Sequence, residues 1–184
     1  MKFGEGVRIK MKYAKKLVLL FLTAMMVSTG WMVPEGMAAT TEKSLPPAPT
    51  EGIASKDLIN GSGSTLSNIS DLGLNSFQYL MGGQSYIGSV SSTQISVSGN
   101  TKSFSTVDTI AVDLYLQRWD NAKSQWLDVS YIGEFKNTNS SIAQGSKNIS
   151  ISGGHYYRTS AKHWVSKGGA TEKDISYSSY IYVQ

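Results

Sequence analysis

The chain contains no cysteine. Disulfides, thiolate metal sites and a cysteine-held lipid anchor are therefore excluded, and stability must come from burial and strand pairing. Histidine occurs only at His155 and His163. A zinc site needs three or four ligands, and no carboxylate joins these two at a fixed short spacing, so packed or turn-capping roles are favoured and no metal or cofactor is expected. Proline stops at Pro49, so every later segment can donate a full ladder of backbone hydrogen bonds. There is no Gly-x-Ser-x-Gly elbow and no Asp-x-Asp-x-Asp-Gly calcium loop. The nearest look-alike, Gly61-Ser62-Gly63-Ser64, reads as a flexible polar loop.

Long apolar runs are scarce too, with one exception near the start. Lys12, Lys15 and Lys16 precede an apolar stretch from Leu17 to Val33, which is followed by Pro34 and the small-residue segment Gly36-Met37-Ala38-Ala39. Basic, apolar and small-residue segments in that order describe a secretory signal peptide over residues 1–39. Cutting after Ala38 puts Ala38 and Gly36 at the −1 and −3 positions, whereas cutting after Ala39 puts Met37 at −3. Met11 is the better natural start, because it leads directly into the basic region. A membrane-spanning helix needs roughly 20 apolar residues; this run is shorter and holds Thr23, Ser28, Thr29 and Gly30. The reading is a secreted, extracellular protein that meets the membrane only through its leader before cleavage.

Removing the leader changes the charge. Residues 1–39 hold six of the 17 Lys and Arg and two of the 13 Asp and Glu, leaving 11 of each sign in place of the formal +4 of the whole chain. No basic stripe remains to neutralise phosphates, which argues against nucleic acid as a partner.

Residues 40–55 read as a disordered linker, since Pro46, Pro47 and Pro49 favour extended polyproline II conformation and bury little. Residues 56–83 are Gly- and Ser-rich and hold no single period. From residue 84 to 184 the period becomes two. In Thr109–Trp119, Ile110, Val112, Leu114 and Leu116 point one way. Asp120–Lys123 reads as a turn, Gln125–Phe135 as a strand, Asn137–Ser141 as a polar loop and Ser146–Ser152 as a strand. In His155–Ser166, Tyr157, Thr159, Ala161, His163 and Val165 share the inner face, while Tyr156, Arg158, Ser160, Lys162 and Trp164 share the outer one. Asp174–Val183 is the final strand, with Tyr177, Ile181 and Val183 in register. About seven strands in this arrangement predict an all-β, antiparallel sandwich of the Ig-like or fibronectin type III-like kind.

Tyr157-Arg158-Thr159-Ser160-Ala161, with the Gly168-Gly169 turn and a last strand, resembles the final hairpin of fibronectin type III-like sandwiches. Val107–Val112, Leu116–Trp119, Trp126–Val129, His155–Arg158, Gly168–Glu172 and Ser179–Val183 are similar to segments of a family of small secreted bacillus and clostridium proteins known only as a domain of unknown function. The resemblance runs from about Gly83 to the C-terminus and implies no activity, cofactor or catalytic residue.

The aromatics are the one feature that points to a ligand. Trp119 and Trp164 fall on the outward register of their strands, alongside Tyr156 and Tyr180. Exposed rings on a flat sheet stack on sugars or serve protein interfaces, although β-propensity alone also selects them. Asp108, Asp113, Asp120, Asp128 and Glu134 read as a solvated sheet face and turn caps rather than a carboxylate pair across a cleft. The expectation is a non-enzymatic extracellular binding or structural protein, with a cell-wall glycan or a protein as its ligand. A carbohydrate-binding module using Trp119, Trp164, Tyr156 and Tyr180 is the alternative, and a small secreted hydrolase is the weakest reading.

Overall fold

In the computed structural model, residues 44–66 and 77–184 are described. The expected leader, its expected cleavage site at Ala38 and Ala39, and the expected start at Met11 lie outside these residues. Leu45–Gln184 form one compact unit.

Eight strands follow in order: β1 (Ala54–Ile59), β2 (Ser62–Leu66), β3 (Leu80–Ser91), β4 (Gln94–Asp120), β5 (Gln125–Ser150), β6 (His155–Lys167), β7 (Ala170–Tyr177) and β8 (Tyr180–Val183). No helix occurs among the described residues. All eight strands belong to one sheet, in the order β1-β8-β6-β4-β3-β2, with β5 beside β4 and β7 beside β6. The sheet curls on itself into a nearly closed, barrel-like arrangement. Its ends meet where β1 turns into β2 through Asn60 and Gly61. There the Asn60 N–H donates to Tyr182 O and the Ser89 N–H to Gly61 O, both at 2.8 Å. The Ser179 hydroxyl bonds Ser64 O at 3.2 Å.

The pairing departs from an all-antiparallel pattern in one place, because β1 runs parallel to β8. The first and last of the described strands thus lie side by side, which no hairpin can produce.

Strands β4 and β5 make the fold. The first part of β4 pairs with β3 and with the end of β5; its second part pairs with β6 and the beginning of β5. The register shifts between Lys102 and Val107, where the pair bends from one layer to the other. Asn137–Ser141, expected as a loop, continues β5 as strand through this bend, with Asn139 at φ 49°. Those residues are polar because they stay exposed, not because pairing stops.

Between the layers lies the main core: Ile87, Ile95 and Val97 from one side meet Val112, Leu114, Leu116, Tyr157, Ala161, Ile181 and Val183 from the other. This is the period-two face of β4 and β6 read from the sequence, and each aliphatic side chain so buried contributes about 1.5–3 kcal/mol. The single final strand expected over Asp174–Val183 is broken at Ser178 and Ser179. Ser178 Oγ accepts the Thr159 N–H at 2.9 Å, and the break leaves Tyr177 exposed while Ile181 and Val183 enter the core.

Residues 45–55 do not hang free as a linker. Pro49 is buried, the Tyr180 N–H donates to Ile53 O at 2.8 Å, and Ala54 begins β1. Composition marked the extended shape of this segment but carried no information about the surface waiting for it.

The bend in β5 folds Phe135 over Gly145, where an added Cβ would lie 1.9 Å from the ring. Gly145→Ala is expected to lower stability by about 1–3 kcal/mol through overpacking. Gly88→Ala, whose new Cβ would meet only Ser62 Cβ at 3.8 Å, is expected to stay within about 0.5 kcal/mol. Urea unfolding of both variants checks the pair.

Candidate functional site

Strands β5, β4, β6 and β7 or β8 present an outer face, opposite the main core, whose rows follow from the register. Trp126, Trp119, Tyr156 and Tyr182 form the first row. Asp128, Gln117 and Arg158 form the second. Tyr131, Tyr115, Ser160 and Tyr177 form the third, and Glu134, Asp113, Lys162 and Ile175 the fourth. Lys136, Ala111, Trp164 and Lys173 form the fifth.

The four aromatics singled out from the sequence do share this face, but they are not exposed together. Trp119, Tyr156 and Tyr180 are buried, at 4%, 2% and 6% exposure. They form a second core with Tyr182, packed against Leu58 and Trp126. The ring centroids of Trp119 and Trp126 stand 5.4 Å apart, and those of Tyr156 and Tyr180 5.7 Å apart. The cover is the N-terminal segment. Tyr156 Oη donates to Pro46 O at 2.9 Å, and Trp126 Nε1 donates to Glu51 O at 3.0 Å. Burial raises the pKa of the Tyr156 hydroxyl, and Tyr180 and Tyr182 add to the effect. A solvent-facing patch shared by Trp119 and Trp164 is therefore ruled out. Tyr156 and Trp164 alone are eight residues apart on β6, about 27 Å along a strand.

Arg158 marks the boundary between the covered and open halves. Its guanidinium lies between Trp126, 4.4 Å from the ring centroid, and Tyr177, at 4.3 Å. Nε donates to Gln117 Oε1 at 2.7 Å, and Gln117 in turn donates to Asp128 Oδ1 at 2.8 Å. Burial brings its pKa down to about 10, opposed by Tyr177, Glu51 and Asp128, so the group is charged at neutral pH. Two facing rings replace much of the water that this cation gives up.

The open half holds Tyr131, Ile175 and Tyr177, all exposed, with Tyr115 and Trp164 half-buried. Tyr115 and Tyr131 pack at 5.1 Å, and Lys162 Nζ sits 4.3 Å from the Tyr115 ring centroid. Burial, followed by the Asp113 carboxylate, raises the pKa of the Tyr131 hydroxyl. A hollow of about 330 Å³ opens beside Trp164, lined also by Asp113, Lys162, Lys173, Asp174 and Ile175. Asp174 Oδ1 accepts its neighbour Ile175's N–H at 2.8 Å, while Asp174 Oδ2 is buried without a hydrogen-bond partner. A second, more polar hollow lies on the other layer. There Gln84 Oε1 accepts from Tyr86 Oη at 2.5 Å and from Asn100 Nδ2 at 3.1 Å.

His163 has no exposed surface. The Thr101 hydroxyl donates to Ala111 O at 2.8 Å, so it can only accept from His163 Nδ1, also at 2.8 Å. The proton thus sits on Nδ1, and Nε2 accepts from the Ser176 hydroxyl at 2.7 Å. The ring lies where a Cβ on Gly83 would stand, 2.1 Å from Nδ1. These bonds brace β4, β6 and β7 from inside. The chain Thr101–His163–Ser176 has the spacing of a nucleophile and base, but a hydroxyl stands where a triad has a carboxylate, and Ser176 is 3% exposed. His155 is half-buried, its pKa lowered by burial and then by Arg118.

The carboxylates serve as ties. Asp120 Oδ1 accepts the Ala122 and Lys123 N–H groups and Asp108 Oδ2 the Gly168 N–H, closing turns. Glu172, which the sequence marked only as part of the family resemblance, accepts the N–H groups of Gln78, Tyr79 and Leu80 at 2.6, 2.9 and 2.6 Å. Burial alone would raise its pKa, but the three backbone bonds outweigh that and lower it. Among the described residues no group of three or more His, Asp or Glu is placed to hold a metal ion.

These features define a cysteine-free, all-β module whose outer face is half sealed and half open. Residues 60–179 match DUF6147, a family of unknown function, and the chain belongs to that family. No curated protein and no solved structure shows a matching similarity.

Burial lowers the pKa of His163 from 6.5 to about 4. Above pH 6.5 the ring is neutral whether the chain is folded or not and contributes no pH dependence. Between 6.5 and about 4 the unfolded chain takes up a proton that the native one refuses, so stability falls as pH falls, by about 3 kcal/mol in all. The difference in unfolding free energy between wild type and His163→Gln is expected to shrink by about that amount between pH 7 and pH 4, as measured by urea titration at both values.

Proposed function

We propose that the protein is an exported, non-enzymatic binding module and that its ligand is a cell-wall glycan held on the open half of the outer face. In this reading the two opposed layers of the curled sheet do the work of the two sheets of an Ig-like sandwich. The leader carries the chain across the membrane and is removed, and no nucleic acid takes part. Support for the last point comes from the balanced charge of residues 40–184.

The single observation that carries the glycan reading is the half-buried Trp164 indole in a hollow lined also by Asp113, Lys162 and Lys173. A sugar presents an apolar ring face and a girdle of hydroxyls. The indole suits the first, and the Asp113 carboxylate and the two lysines that line the hollow suit the second. The exposed rings of Tyr131 and Tyr177 extend the surface toward the centre of the face. Trp119, Tyr156 and Tyr180 leave the ligand-binding set, because the N-terminal segment covers them.

The test is retention of the purified protein on insoluble cell-wall glycan. Wild type is expected to be retained, and Trp164→Ala and Asp113→Asn each to weaken retention by about tenfold, equivalent to ~1.4 kcal/mol. Trp119→Ala is expected instead to cost about 3–5 kcal/mol of stability by opening the buried cluster, seen in thermal unfolding. Failure of wild type to bind the glycan overturns the reading.

A further inference from the structure

The sealed half of the face is lined by Trp119, Trp126, Tyr156, Tyr180 and Tyr182, and what lies on it is a proline-rich segment of the same chain. The manner of its seating is informative. Pro46 is half-buried and Pro49 buried, while Pro47 and Ala48 between them are exposed. Burial at i and i+3 is what a polyproline II helix shows when one of its edges, with three residues per turn, lies on a surface. The polar contacts fit the same picture. A segment with few free N–H groups offers carbonyls, and the groove answers with two aromatic donors. Tyr156 Oη takes Pro46 O at 2.9 Å, and Trp126 Nε1 takes Glu51 O at 3.0 Å. Past the prolines the chain comes close to the groove wall at Gly52, whose φ is 94° and where an added Cβ would lie 3.2 Å from Arg158 Nη1. Aromatic-lined grooves that take a preformed polyproline II segment are how extended proline-rich peptides are recognised between molecules.

We infer that the aromatic groove is a receptor for an extended Pro-x-x-Pro peptide, occupied in this structure by the chain's own Pro46–Pro49 and able to take such a peptide from another polypeptide instead. The internal segment sets the threshold. Being tethered, it competes at a millimolar effective concentration, so an outside peptide succeeds only when presented at high local density or after the internal one is loosened. The groove lies apart from the Trp164 hollow, and this inference does not rest on the glycan reading.

The experiment uses the full chain and a fluorescent synthetic peptide of the sequence Ser44–Gly52, followed by anisotropy. A Pro46→Gly, Pro49→Gly double variant, which keeps the groove but weakens its internal occupant, is expected to bind at least about tenfold more tightly than wild type. The same peptide with its prolines replaced by glycine is expected not to bind. Adding Trp164→Ala should leave affinity within about twofold, which separates this groove from the glycan surface, whereas adding Trp126→Ala should abolish binding. Absence of binding to a double variant with native circular dichroism overturns the inference, as does equal binding of the proline-free peptide. If the double variant does not fold, Pro46→Gly alone replaces it, weakening the internal occupant without touching the groove. Faster exchange of the Trp126 indole N–H, together with tighter peptide binding than wild type, supports the inference; no change in either overturns it.

Discussion

Everything in this molecule depends on two strands that are each too long for one layer. Strands β4 and β5 run as a single hairpin through both halves of the sheet, bending between Lys102 and Val107. Because each is hydrogen-bonded on either side of the bend, the layers cannot separate without breaking backbone pairing. A pair of independent sheets would rely on side-chain packing alone. The interior polar brace centred on His163 ties together the same region. Thr101 comes from the first part of β4, Ala111 from the second, His163 from β6 and Ser176 from β7. The bend is thus held by covalent continuity, by the main core and by a neutral imidazole whose bonds are satisfied on both sides.

The outer face shows how one sheet surface can carry two environments. Near Trp126 and Tyr156 it is dry, since a segment of the chain has displaced the solvent. Near Trp164 and Tyr131 it is wet and charged. Arg158 stands where the two meet, its charge shared between two rings and a side-chain amide instead of a carboxylate. A guanidinium suits that position better than an ammonium would, being planar and weakly hydrated.

Much of this was legible in the residues, and what was not has a physical cause. Alternation by two identified the inner faces of β4 and β6 correctly, including His163 among Tyr157, Ala161 and Val165, and it placed Trp119, Trp164 and Tyr156 on one outward face. Periodicity reports which side of a strand a residue takes. It is silent on what lies over that side, and so Trp119, Tyr156 and Tyr180 read as exposed. The cover comes from residues 45–53, whose composition suggested a tether because proline-rich segments bury little on their own. Nor does local pattern reveal a parallel partner more than 100 residues away, so the pairing of β1 with β8 was out of reach. Asn137–Ser141 misled in the opposite direction, because polar composition signals exposure, and an exposed strand has it as readily as a loop. The unpartnered Asp174 Oδ2 and the anchoring role of Glu172 depend on distances between strands and left no trace in the pattern.

Strand β5 pairs with β4 alone among the described strands. Its other margin has no described strand beside it, an open edge of the kind that invites lateral growth into fibres. The ladder slips twice near its start, between Leu114 and Tyr115 and between Leu116 and Gln117, and Lys136 and Lys147 stand along the rest. A kinked, lysine-studded margin cannot align with a flat copy of itself over any useful length. A protein without disulfides therefore has its open edge guarded by irregularity: evening out the two slips near Ser130 and Tyr131 would lay that edge flat.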